Sequence, residues 1–290
     1  MRSIVTRFAP SPNGMLHAGH ALSAIIAHDY ARDHGGRFLV RIEDIDITRA
    51  KPEFVDAIFE DLAWLGLDWE HPVLVQSQHF ADYLAAADKL IAQGLLYPCF
   101  ASRTEIAATS DPALTDPDGA PLYPGIWRTA HPDMVNERIA NGDAPALRLD
   151  MDAALRAVQA RLGEAPLTFT EIDADGIARA VAAEAERWGD AVIVRKDVPA
   201  SYHLAVVVDD ARQGVTHVTR GDDLFAAAGL QRMLQVLLDL PEPLYSHHRL
   251  VRWADGRKLS KSNGDMGLRA LRSEGATADD VRRAIGLIDG

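Results

Sequence analysis

Residues 9–20 read APSPNGMLHAGH, and two imidazoles three apart, His17 and His20, flank Gly19 where an apolar run gives way to a helical pattern. A helix that starts straight after a strand presents unpaired N–H groups and the positive end of its dipole, which suits a phosphate. Gly19 lets a flat purine or a phosphate approach the backbone, and both imidazoles can donate to phosphate oxygens. A second stretch, GRKLSKSNG at 256–264, sets Lys258 and Lys261 three apart, with Ser260 and Ser262, between glycines. Such a loop can close over a triphosphate and stabilise the charge that develops on departing pyrophosphate. Taken singly, each stretch has a plainer reading: two surface histidines at a turn, and a solvated basic loop.

The elements that must position these groups follow from periodicity. SIVTRFA (3–9) reads as a short β-branched strand ended by Pro10. Residues 21–34 carry apolar side chains at 22, 25, 26 and 30, a helical spacing, and Gly35-Gly36 stops them. RFLVRIED (37–44) is a second strand, so residues 3–44 make a strand–helix–strand unit that opens a parallel sheet. Helices are expected near 52–65 and 79–94, an irregular excursion over 97–130, and mixed pieces over 145–190. Strands are then expected at 190–196, 202–210 and 214–224, followed by an amphipathic helix at 225–240 ended by Pro241. The last thirty or so residues read as helical. The simplest arrangement is one parallel sheet interrupted by an insert.

Composition narrows the class. A chain of 290 residues with 48% hydrophobic content supplies ample core for about two domains. No apolar run approaches the ~18 residues of a membrane span. The start, MRSIVTRFAP, lacks a signal-peptide apolar region, so a cytoplasmic protein is expected. The single cysteine, Cys99, precludes an internal disulfide and fits a reducing compartment. A net charge of -12 disfavours broad polyanion binding, although Arg249, Arg252, Arg257, Lys258, Lys261, Arg269 and Arg272 concentrate positive charge near the C-terminus.

Together, HAGH at the first strand–helix junction and KLSKS after the last strand resemble the "HIGH" and "KMSKS" signatures of class I aminoacyl-tRNA synthetases. TRFAPSPNGMLHAGHA, FLVRIEDID, ASYHLAVVVDD and GVTHVTRGDDL are similar to the glutamyl branch over nearly the whole chain. The resemblance implies an α/β Rossmann-type catalytic domain with an insert between its halves and a small C-terminal helical region. The halves would cover 1–96 and 190–240, the insert 97–189, and the KLSKS loop and helical stem 241–290. It implies ATP with Mg²⁺, bound by His17, Gly19, His20, Gly221, Asp222, Lys258, Ser260 and Lys261. Of these, His17, His20, Lys258 and Lys261 would be catalytic. Glutamate would be held by Arg7, Ala9, Ser11, Glu43, Tyr202 and Arg220. Physical chemistry agrees: a γ-carboxylate suits a fixed guanidinium such as Arg7 or Arg220, and an α-ammonium suits the carboxylate of Glu43.

Three departures refine the expectation. The sequence stops about where the catalytic core does, without the helical anticodon-binding domain of the full-length enzymes. Val206 stands where those enzymes usually carry an Asn of the amino-acid pocket. The short paralogues, the glutamyl-queuosine tRNA(Asp) synthetases, are similar in length and motif. They imply activation of glutamate without tRNA, followed by transfer to the queuosine base in the anticodon of tRNA(Asp). The alternatives are a truncated glutamyl-tRNA synthetase core that charges the tRNA 3′ end, a small-molecule adenylyltransferase, and an idle paralogue that only binds nucleotide or tRNA. Short paralogues often carry zinc in the insert. The matching positions here are Cys99, Ala101, Tyr123 and Trp127, so no zinc is expected. Trp127 is a candidate to plug the vacated site.

Overall fold

The computed structural model of the chain describes residues 3–173, 175–251 and 267–288. The chain opens with β1 (Val5–Phe8), α1 (Ala18–Asp33), β2 (Arg37–Ile42), α2 (Pro52–Trp64), β3 (Glu70–Val75) and α3 (Phe80–Ala92). There follow β4 (Leu96–Cys99), α4 (Arg103–Thr109), α5 (Pro132–Ala140), β5 (Ala146–Leu149), α6 (Met151–Leu162), β6 (Thr168–Ile172) and β7 (Ala178–Ala182). The described chain closes with β8 (Val192–Val194), α7 (Tyr202–Gln213), β9 (His217–Gly221), α8 (Ala227–Leu237), β10 (Leu244–His248), α9 (Leu268–Ser273) and α10 (Ala278–Ala284).

The first three strands form a parallel sheet in the order β1-β2-β3, with Val5 opposite Arg37 and Phe8 opposite Val40. A second sheet runs β7-β6-β10-β9, parallel throughout except for the β6–β7 hairpin. Edge strands β1 and β9 lie side by side and are joined at Val5 and Thr216: the Thr216 N–H donates to Val5 O at 2.9 Å, and the Val5 N–H to Thr216 Oγ1 at 2.8 Å. The combined order is therefore β3-β2-β1-β9-β10. The chain leaves β1 in one direction across the sheet and leaves β9 in the other, which makes the β1/β9 boundary a topological switch point. The α/β Rossmann-type class is as the sequence implied.

Local chemistry explains the elements. Pro52 opens α2 and its fixed φ suits that position. Helix α1 buries Leu22, Ile25 and four alanines against the first sheet. One core joins α1, α2, α9 and α10 beneath β1 and β2, and another surrounds α3, α6, α7 and α8.

Several expectations need correction. Residues 202–210 are the helix α7, not a strand. Three consecutive valines favoured the strand, but Ser201 caps the helix by accepting the Leu204 N–H, and Gly214 ends it at φ 67°. Leu204 to Val207, Asp209 and Asp210 are all buried, so burial on several sides hides the helical period. Strand 190–196 shortens to β8, which pairs antiparallel with β5 in a small sheet of order β4-β5-β8 rather than joining the parallel one. Conversely β6 and β7, from the stretch of mixed character, extend the main sheet beside β10. The strands of the small sheet and of the main sheet thus interleave along the sequence. Strands β3 and β10 were not anticipated; the polar LYSHH of β10 gives no apolar alternation to find.

Candidate active site

A cleft of about 420 Å³ opens at the C-terminal ends of β1 and β9, where a switch point favours ligands. It is lined by Arg7, Ala9, Ser11, His17, Gly19, His20, Glu43, Tyr202, Arg220 and Gly221. All six residues expected to hold glutamate thus border one cavity with the HAGH turn, although they span some two hundred residues of chain. Asp222 does not line it; its neighbour Asp223 does. Ser23, Thr219 and His248 also border the cleft and were not anticipated. Lys258, Ser260 and Lys261 lie outside the described residues.

The HAGH turn is a capping box built from two histidines. His17 is the N-cap of α1; its Nδ1 accepts the Gly19 N–H at 3.1 Å, and the His17 N–H donates to His20 Nδ1 at 3.1 Å. Because both Nδ1 atoms accept, each neutral ring carries its proton on Nε2 as a donor. The rings lie 3.8 Å apart between centroids. A Cβ on Gly19 would meet His17 Cε1 at 3.0 Å and Nδ1 at 3.1 Å, so any larger residue would press on the capping ring. No acidic residue stands in the first turn of α1 to compete for an anion. Across the cleft, a Cβ on Gly221 would meet Asp223 Oδ1 at 2.5 Å and Leu250 Cδ2 at 2.9 Å.

Glu43 follows β2 directly, and a buried ionic cluster surrounds it. Arg41, fully buried, donates through Nε and Nη2 to Glu43 Oε1 (3.3 Å each) and through Nη1 to Asp210 Oδ1 (2.8 Å) and Gln213 Oε1 (2.9 Å). Arg7 Nε donates to the other side of the cluster, at Asp210 Oδ1 (3.1 Å). Asp209 sits 3.8 Å from Arg41 and accepts from Gln76 Nε2 (2.8 Å) and Tyr83 Oη (3.0 Å). Two guanidiniums thus face three carboxylates. Burial pushes Glu43 up to about 7 against the pull of Arg41 and Arg7. Burial acts on Asp210 too, but Arg7 and Arg41 outweigh it and hold that carboxyl below its usual range. The cluster is one cation short, and its most easily protonated carboxyl is the one that borders the cleft.

Arg220 enters from β9. Its Nε donates to His247 Nε2 (3.0 Å) and its Nη1 to Gln231 Oε1 (2.8 Å), while Nη2 is buried with no hydrogen-bond partner among the described residues. A planar fork held at two corners and open at the third suits a carboxylate.

The model of class I tRNA synthetases (E and Q), catalytic domain, matches residues 3–287. The chain belongs to this family. It is 46% identical to the glutamyl-Q tRNA(Asp) synthetase of Rhodobacter capsulatus, over 98% of this chain and 100% of that protein. It is 40% identical to glutamate–tRNA ligase 2 of Rhodospirillum rubrum, over 97% of this chain but 56% of the ligase. The fold matches glutamate–tRNA synthetase from Elizabethkingia anophelis with a TM-score of 0.71 at 23% identity, covering 95% of this chain and 54% of that one. The chain thus spans about half the length of the glutamate–tRNA ligases it matches. The Mycobacterium tuberculosis methionyl-tRNA synthetase, solved with methionyl-adenylate, shares the fold more loosely, with a TM-score of 0.57 at 14% identity over 98% of this chain and 64% of that one.

Two further expectations concern Val206 and the insert. Val206 is buried in the core around α7 and does not border the cleft. In the insert, Tyr123 Oη accepts the Trp127 N–H at 2.8 Å, and burial together with the neighbouring buried Cys99 thiol pushes the phenol above its usual range. The Arg148 guanidinium lies 4.0 Å from the Tyr123 ring centre. The Trp127 ring rests on Phe100 instead, 4.9 Å between centroids, so the link between these positions is the Tyr123 phenol rather than the indole. One thiol and one phenol do not supply the four donors of a structural zinc. Among the described residues no three His, Cys, Asp or Glu side chains cluster as metal ligands would.

Proposed function

We propose that this protein activates L-glutamate with ATP, without requiring tRNA, and transfers it to the queuosine base in the anticodon of tRNA(Asp) in the cytoplasm. The observation that carries the reading is the match to the glutamyl-Q tRNA(Asp) synthetase along that protein's whole length, together with a cleft that gathers a phosphate-type turn and a carboxylate-type fork.

In the proposed first step the α-carboxylate of glutamate attacks the α-phosphorus of ATP, and pyrophosphate leaves. No enzyme nucleophile is needed; catalysis is positioning and charge stabilisation. His17 and His20 offer Nε2–H donors to the triphosphate beside the α1 N-terminus, and Gly19 admits the nucleotide. Mg²⁺ arrives with ATP and neutralises part of the phosphate charge. Lys258, Ser260 and Lys261 would meet the departing pyrophosphate, and Gly221 lies on the adenosine side, with Asp222 following it outside the cleft lining. Glu43 pairs with the α-ammonium, and that ammonium supplies the cation that the Arg41 cluster lacks. Arg220 and Arg7 take the γ-carboxylate, with Tyr202, Ala9 and Ser11 shaping the pocket. In the second step a hydroxyl of the queuosine cyclopentenediol attacks the adenylate to form an ester, and AMP leaves.

The test is transfer of labelled glutamate to tRNA from cells with and without queuosine. Label confined to the queuosine-containing pool is expected. Label on both pools would mean 3′-end charging, the reading that the 40% identity to a glutamate–tRNA ligase favours. No pyrophosphate exchange with any amino acid would mean an idle binder.

A further inference from the structure

A guanidinium can only donate, so whatever faces Arg220 Nε must accept. That atom is His247 Nε2, at 3.0 Å, and it must present a bare lone pair. The proton of the neutral ring therefore sits on Nδ1. Facing Nδ1 is the carboxylate of Glu171, at 2.9 Å through Oε2 and 3.1 Å through Oε1. The same carboxylate accepts the His247 backbone N–H at 3.0 Å, so it cannot easily swing away. Glu171 belongs to β6, His247 to β10 and Arg220 to β9, three neighbouring strands of one sheet. Both the His247 and Glu171 side chains are nearly fully buried, with the Phe169 and Phe225 rings alongside. Neither residue lines the cleft.

We propose that His247, locked by Glu171 as the Nδ1–H tautomer, is a positioning residue that aims the Arg220 fork at the carboxylate of the amino-acid substrate. Gln231 holds the second corner through Oε1. What remains is Nη2, buried and without a hydrogen-bond partner among the described residues, on a residue that borders the cleft. The carboxylate fixes the imidazole, and the imidazole fixes the fork. Selection of a side-chain carboxylate is then set one strand away from the substrate. The inference rests on the reading of the cleft as the glutamate site.

The test is ATP–pyrophosphate exchange on the full chain, with glutamate and ATP varied separately. His247→Ala should raise the glutamate KM at least tenfold and leave the ATP KM within twofold. His247→Gln can place Oε1 where Nε2 was and still accept from Arg220, so it should recover most of the glutamate affinity. His247→Asn is too short to reach Arg220 and should resemble alanine. The Gln and Asn pair decides the matter even if the alanine variant fails to fold. Equal glutamate KM in the Gln and Asn variants, or parallel rises in glutamate and ATP KM, would overturn the inference while the wild type still activates glutamate. A wild type without glutamate-dependent exchange would instead sink the reading of the cleft, and this inference with it.

Discussion

At the scale of single residues, the HAGH turn uses one set of atoms to build the helix and another to meet the ligand. Each histidine spends Nδ1 on the cap, which fixes Nε2 as the donor. Gly19→Ala separates the two jobs. Its Cβ presses on the His17 ring, so the cap loosens and about 1 kcal/mol of capping is lost. Alanine regains a similar amount, about 1 kcal/mol, through helix propensity. Pyrophosphate exchange should therefore fall by about tenfold or more while the thermal midpoint barely moves; running both assays on one preparation checks this. Glu43 makes a prediction about pH. Its folded value near 7 stands above the ordinary 4.5, so the folded state favours its protonated form. The contribution of this group to stability is present below about 4.5 and is lost as pH rises through 7. Binding has the opposite sign, because an ammonium ligand needs the carboxylate. Glutamate should bind about tenfold tighter at pH 8 than at pH 6 and should release close to one proton at pH 6. Calorimetric titration in two buffers of different ionisation enthalpy reads that proton.

At the scale of elements, what could be read from the sequence was local, and what could not was not. The strand β1, the turn and the helix α1 follow one another within thirty residues, so type, spacing and caps reveal them together. Helix α7 escaped because its valines mimic a strand and its burial on several sides erases the amphipathic stripe; Ser201 and Gly214 were the available signals. The Glu171–His247 pair escaped for a different reason. Its members are 76 positions apart, and only strand order makes them neighbours. The insert carries the next prediction. At the positions where zinc would crosslink it, Tyr123 accepts from the Trp127 backbone beside the buried Cys99, while Arg148 covers the ring. Protein grown in zinc-rich medium is expected to hold far less than one zinc per chain by elemental analysis. A chelator should leave its melting temperature unchanged. Stoichiometric zinc would contradict this packing.

At the scale of the whole molecule, the buried cluster around Arg41 fastens the N-terminal sheet to α7. Arg41 reaches from β2 to Asp210 and Gln213 on that helix, while Arg7 reaches there from β1. Removing the central cation leaves three carboxylates facing one guanidinium. Arg41→Leu should cost about 3–5 kcal/mol, because breaking a buried ionic group strands its partners. Urea unfolding should show this as a lower midpoint with little change in slope. Loss of glutamate binding should accompany it, since Glu43 and Arg7 both lean on the cluster.

The junction of β1 with β9 has a consequence for how the molecule comes into being. Val5 meets Thr216 across 211 positions. At about 5–20 residues per second of synthesis, β1 waits roughly 10–40 s on the ribosome before its neighbour exists. Through that interval the nascent chain carries an unpaired strand edge, the kind of surface that recruits other chains. Arg7 in the middle of VTRF puts a charge on that edge, so the guanidinium that later borders the cleft also guards the unfinished sheet.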